Sequence, residues 1–250
     1  MSILPVWSFD AVADALCAAL QAREQALRAE QAVYGLDALS ELELHALLAD
    51  GLATSGWGVL RERAYPHEWM LKRTGDASLP ERRDRQRCDI VLTERTGCVL
   101  DDAVHTEKQR RAARAAIEGT LFAALAPAEP VRPANLVPPE EALWIELKVI
   151  AQHALVAGAL TPNHSYTSLL TRGPITDLVK LNADERIRSA ASATVLFAHS
   201  EDTAHHDLNV LTHRCLDKGL AISSPQITGL AISDRIGNAW CALCFIGLRK

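Results

Sequence analysis

An acid and a lysine stand two residues apart inside an apolar stretch of this chain, Ala142-Leu-Trp-Ile-Glu146-Leu-Lys148-Val-Ile. The stretch predicts a β-strand, in which alternate side chains point to the same face, so Glu146 and Lys148 lie side by side. Apolar side chains fill the opposite face. Because charged groups are costly to remove from water, a core strand that carries two of them predicts a functional site at the rim of a sheet.

A second short apolar run, Arg87-Cys-Asp89-Ile-Val-Leu, carries one acid at its start. If this run lies beside the first strand, Asp89, Glu146 and Lys148 converge on a single metal ion. The same residues also have purely structural explanations. The Glu-x-Lys triplet also fits a surface ion pair across strands, and Asp89 also fits a strand end or an ion pair with a nearby arginine.

Length and composition indicate a folded chain. The 250 residues are 48% hydrophobic and 23% charged, which suits one large or two small domains and lacks the polar bias of disorder. No run approaches the about 18 apolar residues of a membrane span, and the N-terminus lacks the basic start of a secretory signal. The expectation is a cytoplasmic protein with no membrane partner. Its six cysteines form no compact disulfide framework and are expected to be reduced.

Helices alternate with strands along the chain, which predicts one α/β domain over 1–250. The core covers 40–200, and 200–250 extends it. Ser40 with Glu43 three residues later is a capping-box pattern at the start of a helix. The predicted helices are 8–33, 40–54, 105–125, 174–191 and 202–216, and the predicted strands are 57–65, the two runs above, 193–198 and 239–248.

Two segments are predicted as additions to this core. The N-terminal helix, within 1–36, is an added arm that either serves a dimer or packs on its own domain. The helical and Pro-rich segment 94–140 is an insertion between the two acid-bearing strands. If that segment is core structure instead, the pairing of Asp89 with Glu146 fails.

Four features in sequence order resemble the PD-(D/E)XK nuclease superfamily. An acid-bearing helix at Ser40-Glu41-Leu-Glu43 comes first, followed by a strand with Glu62 and Tyr65-Pro66. Asp89 opens the next strand, and Glu146-Leu-Lys148 completes the signature. The helix with Asp177, Leu178, Lys180 and Leu181, and the strand 194–197 after it, also look like those that follow the signature. Cys88 replaces the proline of the family name, and the gap from Asp89 to Glu146 is longer than usual.

The resemblance implies a restriction-endonuclease-like fold, with a mixed central sheet flanked by helices, and hydrolysis of phosphodiester bonds with Mg²⁺ or Mn²⁺. Its metal ligands carry over to Asp89, Glu146, the Leu147 carbonyl and the first-helix acid Glu41. Glu41 is preferred to Glu43 because Glu43 has the capping-box position. Lys148 then orients the attacking water or stabilises the transition state.

Basic residues crowd two segments although the formal net charge is −5. One group, Arg82, Arg83 and Arg85, precedes Asp89; the other, Lys108, Arg110 and Arg111, lies on the predicted insertion helix. Both groups are candidates for phosphate contacts, and both also fit solvated faces balanced by nearby acids.

Two functions therefore stand side by side. The first is a metal-dependent nuclease, most simply a DNA endonuclease of a bacterial restriction, defence or repair type. The second is a catalytically silent binding or interaction module on the same fold. By analogy with relatives that cut both strands of a duplex, a homodimer is a further expectation.

Overall fold

The computed structural model describes residues 7–66, 86–102, 133–156 and 159–250, together with 104, 106, 107, 109, 111 and 112. Within these residues no helix has both the length and the apolar character needed to cross a bilayer. All six cysteines are free thiols, as expected, and four of them are fully buried among apolar side chains.

Helices and strands alternate along the described chain. The helices are α1 (Phe9–Ala29), α2 (Glu41–Thr54), α3 (Tyr166–Ala183) and α4 (Glu201–Asp217). The strands are β1 (Gly58–Ala64), β2 (Arg87–Thr93), β3 (Val99–Leu100), β4 (Leu136–Val137), β5 (Leu143–Ala151), β6 (His153–Val156), β7 (Ala159–Pro162), β8 (Ser189–Ala198), β9 (Gln226–Ala231) and β10 (Trp240–Gly247).

A mixed six-stranded sheet forms the centre, in the order β1-β2-β5-β8-β10-β9. The pairs β1–β2 and β2–β5 are antiparallel, the pair β5–β8 is parallel, and the pairs β8–β10 and β10–β9 are antiparallel. The parallel pair is possible because α3 lies between β5 and β8 in the chain and returns it to the same end of the sheet. The predicted mixed α/β sheet is therefore confirmed.

Apolar side chains on the two faces of the sheet form two cores. Leu143, Ile145 and Leu147 of β5 pack with α1 and α2. Trp144 and Ile150, on the other face of the same strand, pack with α3 and α4. Helices thus cover both faces, and the alternation of β5 decides which core each of its side chains joins.

The N-terminal helix α1 packs on its own domain. Val12, Leu16 and Leu20 are fully buried against α2 and the sheet. The stripe they form, at spacings of four residues, explains why a helix that the sequence presents as an added arm is part of the core. It begins at Ser8, whose side chain accepts a hydrogen bond from the Ala11 amide.

The described parts of the predicted insertion 94–140 stay out of the central sheet. Strands β3 and β4 pair only with each other, and β2 pairs directly with β5. The pairing of the two acid-bearing strands, on which the alignment of Asp89 depends, is therefore present. Most of the predicted helix 105–125 lies outside the described residues, and its described residues up to 112 are helical.

Two predicted boundaries near β8 are wrong. The helix expected over 174–191 spans Tyr166–Ala183, with Pro174 inside it rather than at its start. The run Ser189-Ala-Ala-Ser-Ala belongs to β8, not to a helix. Alanine favours helices in isolation, but these small side chains are buried in the sheet between β5 and β10, and tertiary packing overrides the propensity.

Candidate active site

Strands β2 and β5 part at the two acids. Their pairing runs from Leu92 with Leu143 to Ile90 with Ile145 and is not continued beyond that pair. The next outward-facing amide, that of Leu147, donates to Asp89 Oδ2 at 2.7 Å. A carboxylate therefore takes the place of a main-chain acceptor, and this hydrogen bond holds Asp89 where the two strands diverge.

The strand on the other side of Asp89 is also irregular. The pairing of β1 with β2 passes from Arg61–Ile90 to Arg63–Cys88, so Glu62 and Asp89 are the residues that it skips. Glu62 has a φ of 53°, in the left-handed region that residues other than glycine rarely adopt. The register is the same on both sides of this gap, so Glu62 lies opposite Asp89 and the pairing is broken without an inserted residue. Backbone held in a rarely populated conformation is frequent at functional sites. The Glu62 side chain itself is exposed.

Glu146 is an acid buried against another acid. It is 2% exposed, its carboxylate lies beside that of Asp89, and the Tyr65 hydroxyl donates to its Oε1 at 2.5 Å. Burial first, and then the negative charge of Asp89, raise the pKa of Glu146 to about 8, although the Tyr65 hydrogen bond acts in the opposite direction. Near neutral pH the metal-free pair therefore carries a proton between its two carboxylates.

Lys148 turns to the same face as Glu146. Its Nζ lies 3.0 Å from Asp177 Oδ2 on α3, and its stem runs past Gly173, where an added Cβ would meet it at 3.6 Å. Burial lowers the pKa of Lys148, but the contact with Asp177 and the negative charges of Asp89 and Glu146 together outweigh that effect, and the pKa is raised overall. Lys148 therefore remains an ammonium beside the acid pair.

Asp177 and Lys180 complete the site from α3. Lys180 Nζ lies 2.8 Å from Asp177 Oδ1 and 3.4 Å from Glu146 Oε1. We call Asp89, Glu146, Lys148, Asp177 and Lys180 the acid–lysine cluster. The sequence had a signal for the two helical members: an acid and a lysine stand three residues apart on the helix that follows the Glu-x-Lys strand, the acid on its buried face.

The sequence does not predict the contact of Tyr65 with Glu146. Tyr65 is buried just after β1, and its ring stacks on Trp144 with the centroids 6.1 Å apart. Burial raises its pKa far above the ordinary value, so the hydroxyl stays protonated and donates to Glu146. Because 81 residues separate the two partners, no local pattern predicts the contact.

The acid pair fits a divalent cation. Two carboxylates that share a proton near neutral pH can exchange it for a metal ion, which also relieves their repulsion. Asp89 is half-buried, so the pair is reached from its side. Among the described residues there is no group of three His, Cys, Asp or Glu side chains arranged for a metal. Mg²⁺ keeps several waters, so Asp89, Glu146 and a backbone carbonyl such as that of Leu147 are a sufficient set.

Glu41 does not join this set. Its side chain is 54% exposed, and its Oε1 lies 3.7 Å from His45 Nε2 one helical turn away. Helix α2 packs on the face of the sheet opposite Glu146. Its buried leucines contact α1 and the side chains of β5 that point away from Glu146. The position of Glu41 therefore contradicts its predicted role as a metal ligand beside Asp89 and Glu146. Glu43 has the predicted capping-box role: its Oε2 accepts from the Ser40 amide at 2.8 Å.

Most of the basic residues predicted to contact phosphate lie outside the described residues: Arg82, Arg83, Arg85, Lys108 and Arg110. Arg111 is described, and its Nε lies 3.1 Å from Glu107 Oε1. That ion pair one helical turn away agrees with the solvated-face alternative for Arg111.

The chain has no match among protein-family models, curated proteins or solved structures. The chemistry of the site is therefore argued from its own contacts. A buried acid pair with two ammonium groups at its rim can bind a divalent cation and an anionic group together, as phosphoryl chemistry requires.

Proposed function

We propose that this protein is a metal-dependent nuclease with a restriction-endonuclease-like core, and that it hydrolyses phosphodiester bonds in DNA. The observation that carries the proposal is the pairing of Asp89 with Glu146 across two diverging strands, with Lys148 on the same face. Two carboxylates in contact destabilise the fold when no cation lies between them. A role in binding a cation would explain why the chain carries such a pair.

The order of elements supports the proposal. A helix with a capping box, three antiparallel strands, a helix and a parallel strand occur in the chain order α2, β1, β2, β5, α3 and β8, with the pair β3–β4 inserted before β5 and the pair β6–β7 after it. Each of the four features that carry the resemblance falls on the expected kind of element. The two acids and the lysine then meet where β2 and β5 diverge.

In the proposed mechanism, Asp89, Glu146 and the Leu147 carbonyl would hold Mg²⁺, which when bound would supply a water of lowered pKa and offset charge on the phosphate. Lys148, kept charged by Asp177, orients the attacking water and stabilises the negative charge that grows on the phosphate oxygens. Tyr65 fixes the direction of Glu146.

The net reaction is hydrolysis of one ester bond. The oxygen of water forms a bond to phosphorus, and the bond between phosphorus and one sugar oxygen breaks. The attacking water releases one proton to solvent, and the leaving oxygen takes one proton from solvent. The phosphate stays on the other fragment as a monoester, so no oxidant or further reactant is needed.

Cleavage assays test the proposal. The protein is incubated with Mg²⁺ or Mn²⁺ and with plasmid, linear duplex, single-stranded DNA or RNA. We expect cleavage by the wild type and by the exposed-acid control Asp50→Asn, and none by Asp89→Asn or Glu146→Gln, which remove a ligand charge without changing shape. Full activity in either site variant, or inactivity of the wild type on every substrate, would refute it.

One observation favours the silent module as a second candidate. Glu146 already accepts from Tyr65 and lies beside Lys180, and Asp177 lies between two lysines, so the cluster is compensated without metal. A purely structural network would leave wild-type binding to DNA or another partner unchanged by chelator. It would also give no metal-dependent cleavage.

A further inference from the structure

Asp177 is an acid at the site that cannot be counted with the metal ligands. It is 4% exposed, and each of its oxygens faces a different lysine: Oδ2 lies 3.0 Å from Lys148 Nζ, and Oδ1 lies 2.8 Å from Lys180 Nζ. Its charge is therefore offset by two ammonium groups. Of the three acids in the acid–lysine cluster, only Asp89 and Glu146 remain for a cation.

The two remaining carboxylates, those of Asp89 and Glu146, limit how much metal charge the site can hold. Sites with two divalent ions hold them about 3.5–4 Å apart and use them as a clamp on the attacking and leaving oxygens. In the described residues no three His, Cys, Asp or Glu side chains are grouped for a metal. Within the part of the chain that the structure describes, a second divalent ion would lack a carboxylate of its own, yet the transition state of phosphoryl transfer still needs its charge offset.

Lys180 lies where a second positive charge is needed. Its Nζ is 3.4 Å from Glu146 Oε1 and 5.8 Å from the centroid of the Tyr65 ring. Its side chain is 32% exposed, so the ammonium borders both the acid pair and solvent. An ammonium is a compact point charge with three donors and suits contact with a phosphate oxygen.

We propose that this centre holds a single divalent cation, and that Lys180, positioned by Asp177, supplies the second positive charge and contacts the phosphate under cleavage. The inference rests on the proposed nuclease function and adds its metal stoichiometry and a second cationic residue. Asp177 acts through the two lysines and is a positioning residue. Lys180 touches the substrate.

The placement of Asp177 explains why one acid serves both lysines. It projects from α3 one turn before Lys180, and it also reaches Lys148 on β5. The two ammonium groups are thereby fixed relative to each other by the two oxygens of one carboxylate. Without it, two long side chains with many rotamers would have to be ordered by the substrate alone.

Metal binding gives a readout that does not depend on activity. Mn²⁺ is titrated into the full chain by calorimetry, for the wild type and the variants Asp177→Asn, Lys180→Gln and Lys180→Arg. We expect one Mn²⁺ per chain in all four. Lys180→Gln should bind Mn²⁺ at least as tightly as the wild type, because it removes a positive charge beside the site.

Kinetics on DNA gives the second readout. We expect Lys180→Gln to lower kcat by about 10²–10³, the range for loss of one transition-state donor, with a smaller change in KM. Lys180→Arg should restore part of kcat because it keeps the charge. Lys218→Gln, at the exposed end of α4, is the matched control for loss of one lysine charge and should retain wild-type kcat.

The outcomes separate this inference from the function on which it rests. Two Mn²⁺ per wild-type chain, or loss of a Mn²⁺ in Asp177→Asn, would make Asp177 a metal ligand and overturn the inference while the nuclease stands. Unchanged kcat in Lys180→Gln would also overturn it alone. A wild type that binds no Mn²⁺ and cleaves nothing would remove both proposals. If Asp177→Asn fails to fold, the Mn²⁺ stoichiometry of the wild type and the kcat of the Lys180 variants still test the inference, because Lys180 is partly exposed.

Discussion

Two buried polar clusters on opposite faces of the sheet treat their acids in opposite ways. In the acid–lysine cluster, carboxylates lie against each other and the lysines stand at a partly exposed rim. In the second, which we call the Glu24 cluster, Glu24 accepts from Arg28 Nε at 2.8 Å and from the Ser233 amide at 3.0 Å. In the first cluster the closest neighbour of a carboxylate is another carboxylate, whereas in the second each acid accepts a hydrogen bond from an amide, of the main chain for Glu24 and of Asn238 for Asp37.

The other members of the Glu24 cluster are Asp37, Asn238, His153 and Arg235. Asn238 Nδ2 donates to Asp37 Oδ2 at 2.9 Å, and the His153 amide donates to Asn238 Oδ1 at 3.1 Å. These bonds join α1, the turn at Asp37, β6 and the β9–β10 connection. We infer that the Glu24 cluster stabilises the fold, whereas the acid–lysine cluster lowers the stability of the fold and serves the reaction.

The largest expected effect that separates the clusters is on turnover. Lys148→Ala should lower kcat by about 10²–10³, because one donor to the transition state is lost, and should keep Mn²⁺ binding. Calorimetry beside the kinetics checks the division of roles. Loss of Mn²⁺ binding in this variant would show that Lys148 shapes the ligand set instead, and kcat equal to wild type would remove it from the chemistry.

The Glu24 cluster should show the reverse result. Glu24→Gln weakens charge-assisted hydrogen bonds from Arg28 and Ser233, so we expect the free energy of unfolding to fall by about 1.5–3 kcal/mol. Activity below the melting temperature should equal wild type. Urea unfolding measures the first quantity and the cleavage assay the second. A loss of kcat without a loss of stability would contradict the assignment of the two clusters.

The sequence predicted the parts of the site that are local. Alternation identified β5 and the shared face of Glu146 and Lys148, and the capping box identified the start of α2, because each depends on residues within one element. It did not predict that Asp177 would link two lysines. That contact depends on how α3 lies across β5, which is set by packing across the sheet.

The missed strand β9 and the misplaced acid Glu41 also depend on tertiary packing. Strand β9, Gln226–Ala231, was not predicted because Gly229 and its polar residues give it no alternating pattern, and its pairing with β10 supplies the missing order. The first-helix acid Glu41 was misassigned because a stripe of leucines shows that a helix face is buried but not which face of the sheet covers it. Both depend on tertiary contacts.

Acid against acid should also make stability depend on pH. The pKa of Glu146 is about 8 in the fold against an ordinary 4.5, so between these values the unfolded chain loses a proton that the folded chain keeps. The free energy of unfolding, measured in chelator, should therefore fall as pH rises from about 4.5 to 8, by at most about 1.4 kcal/mol per unit from this group. Glu146→Gln should remove that component of the slope. An identical slope in the variant would mean that Asp89 and Glu146 do not interact as described.

The smallest expected effects concern the start of α2, on the same face as the Glu24 cluster. Ser40→Ala removes the cap of the helix, and we expect a loss of about 1 kcal/mol in the free energy of unfolding, with kcat unchanged. Glu41→Gln should alter neither, because its side chain is about half exposed and lies across the sheet from Glu146. Thermal melts and single-turnover cleavage of the two variants measure both quantities. Weakened cleavage in Glu41→Gln at unchanged stability would return this acid to the metal site, and it would place the start of α2 with the acid–lysine cluster rather than with the Glu24 cluster.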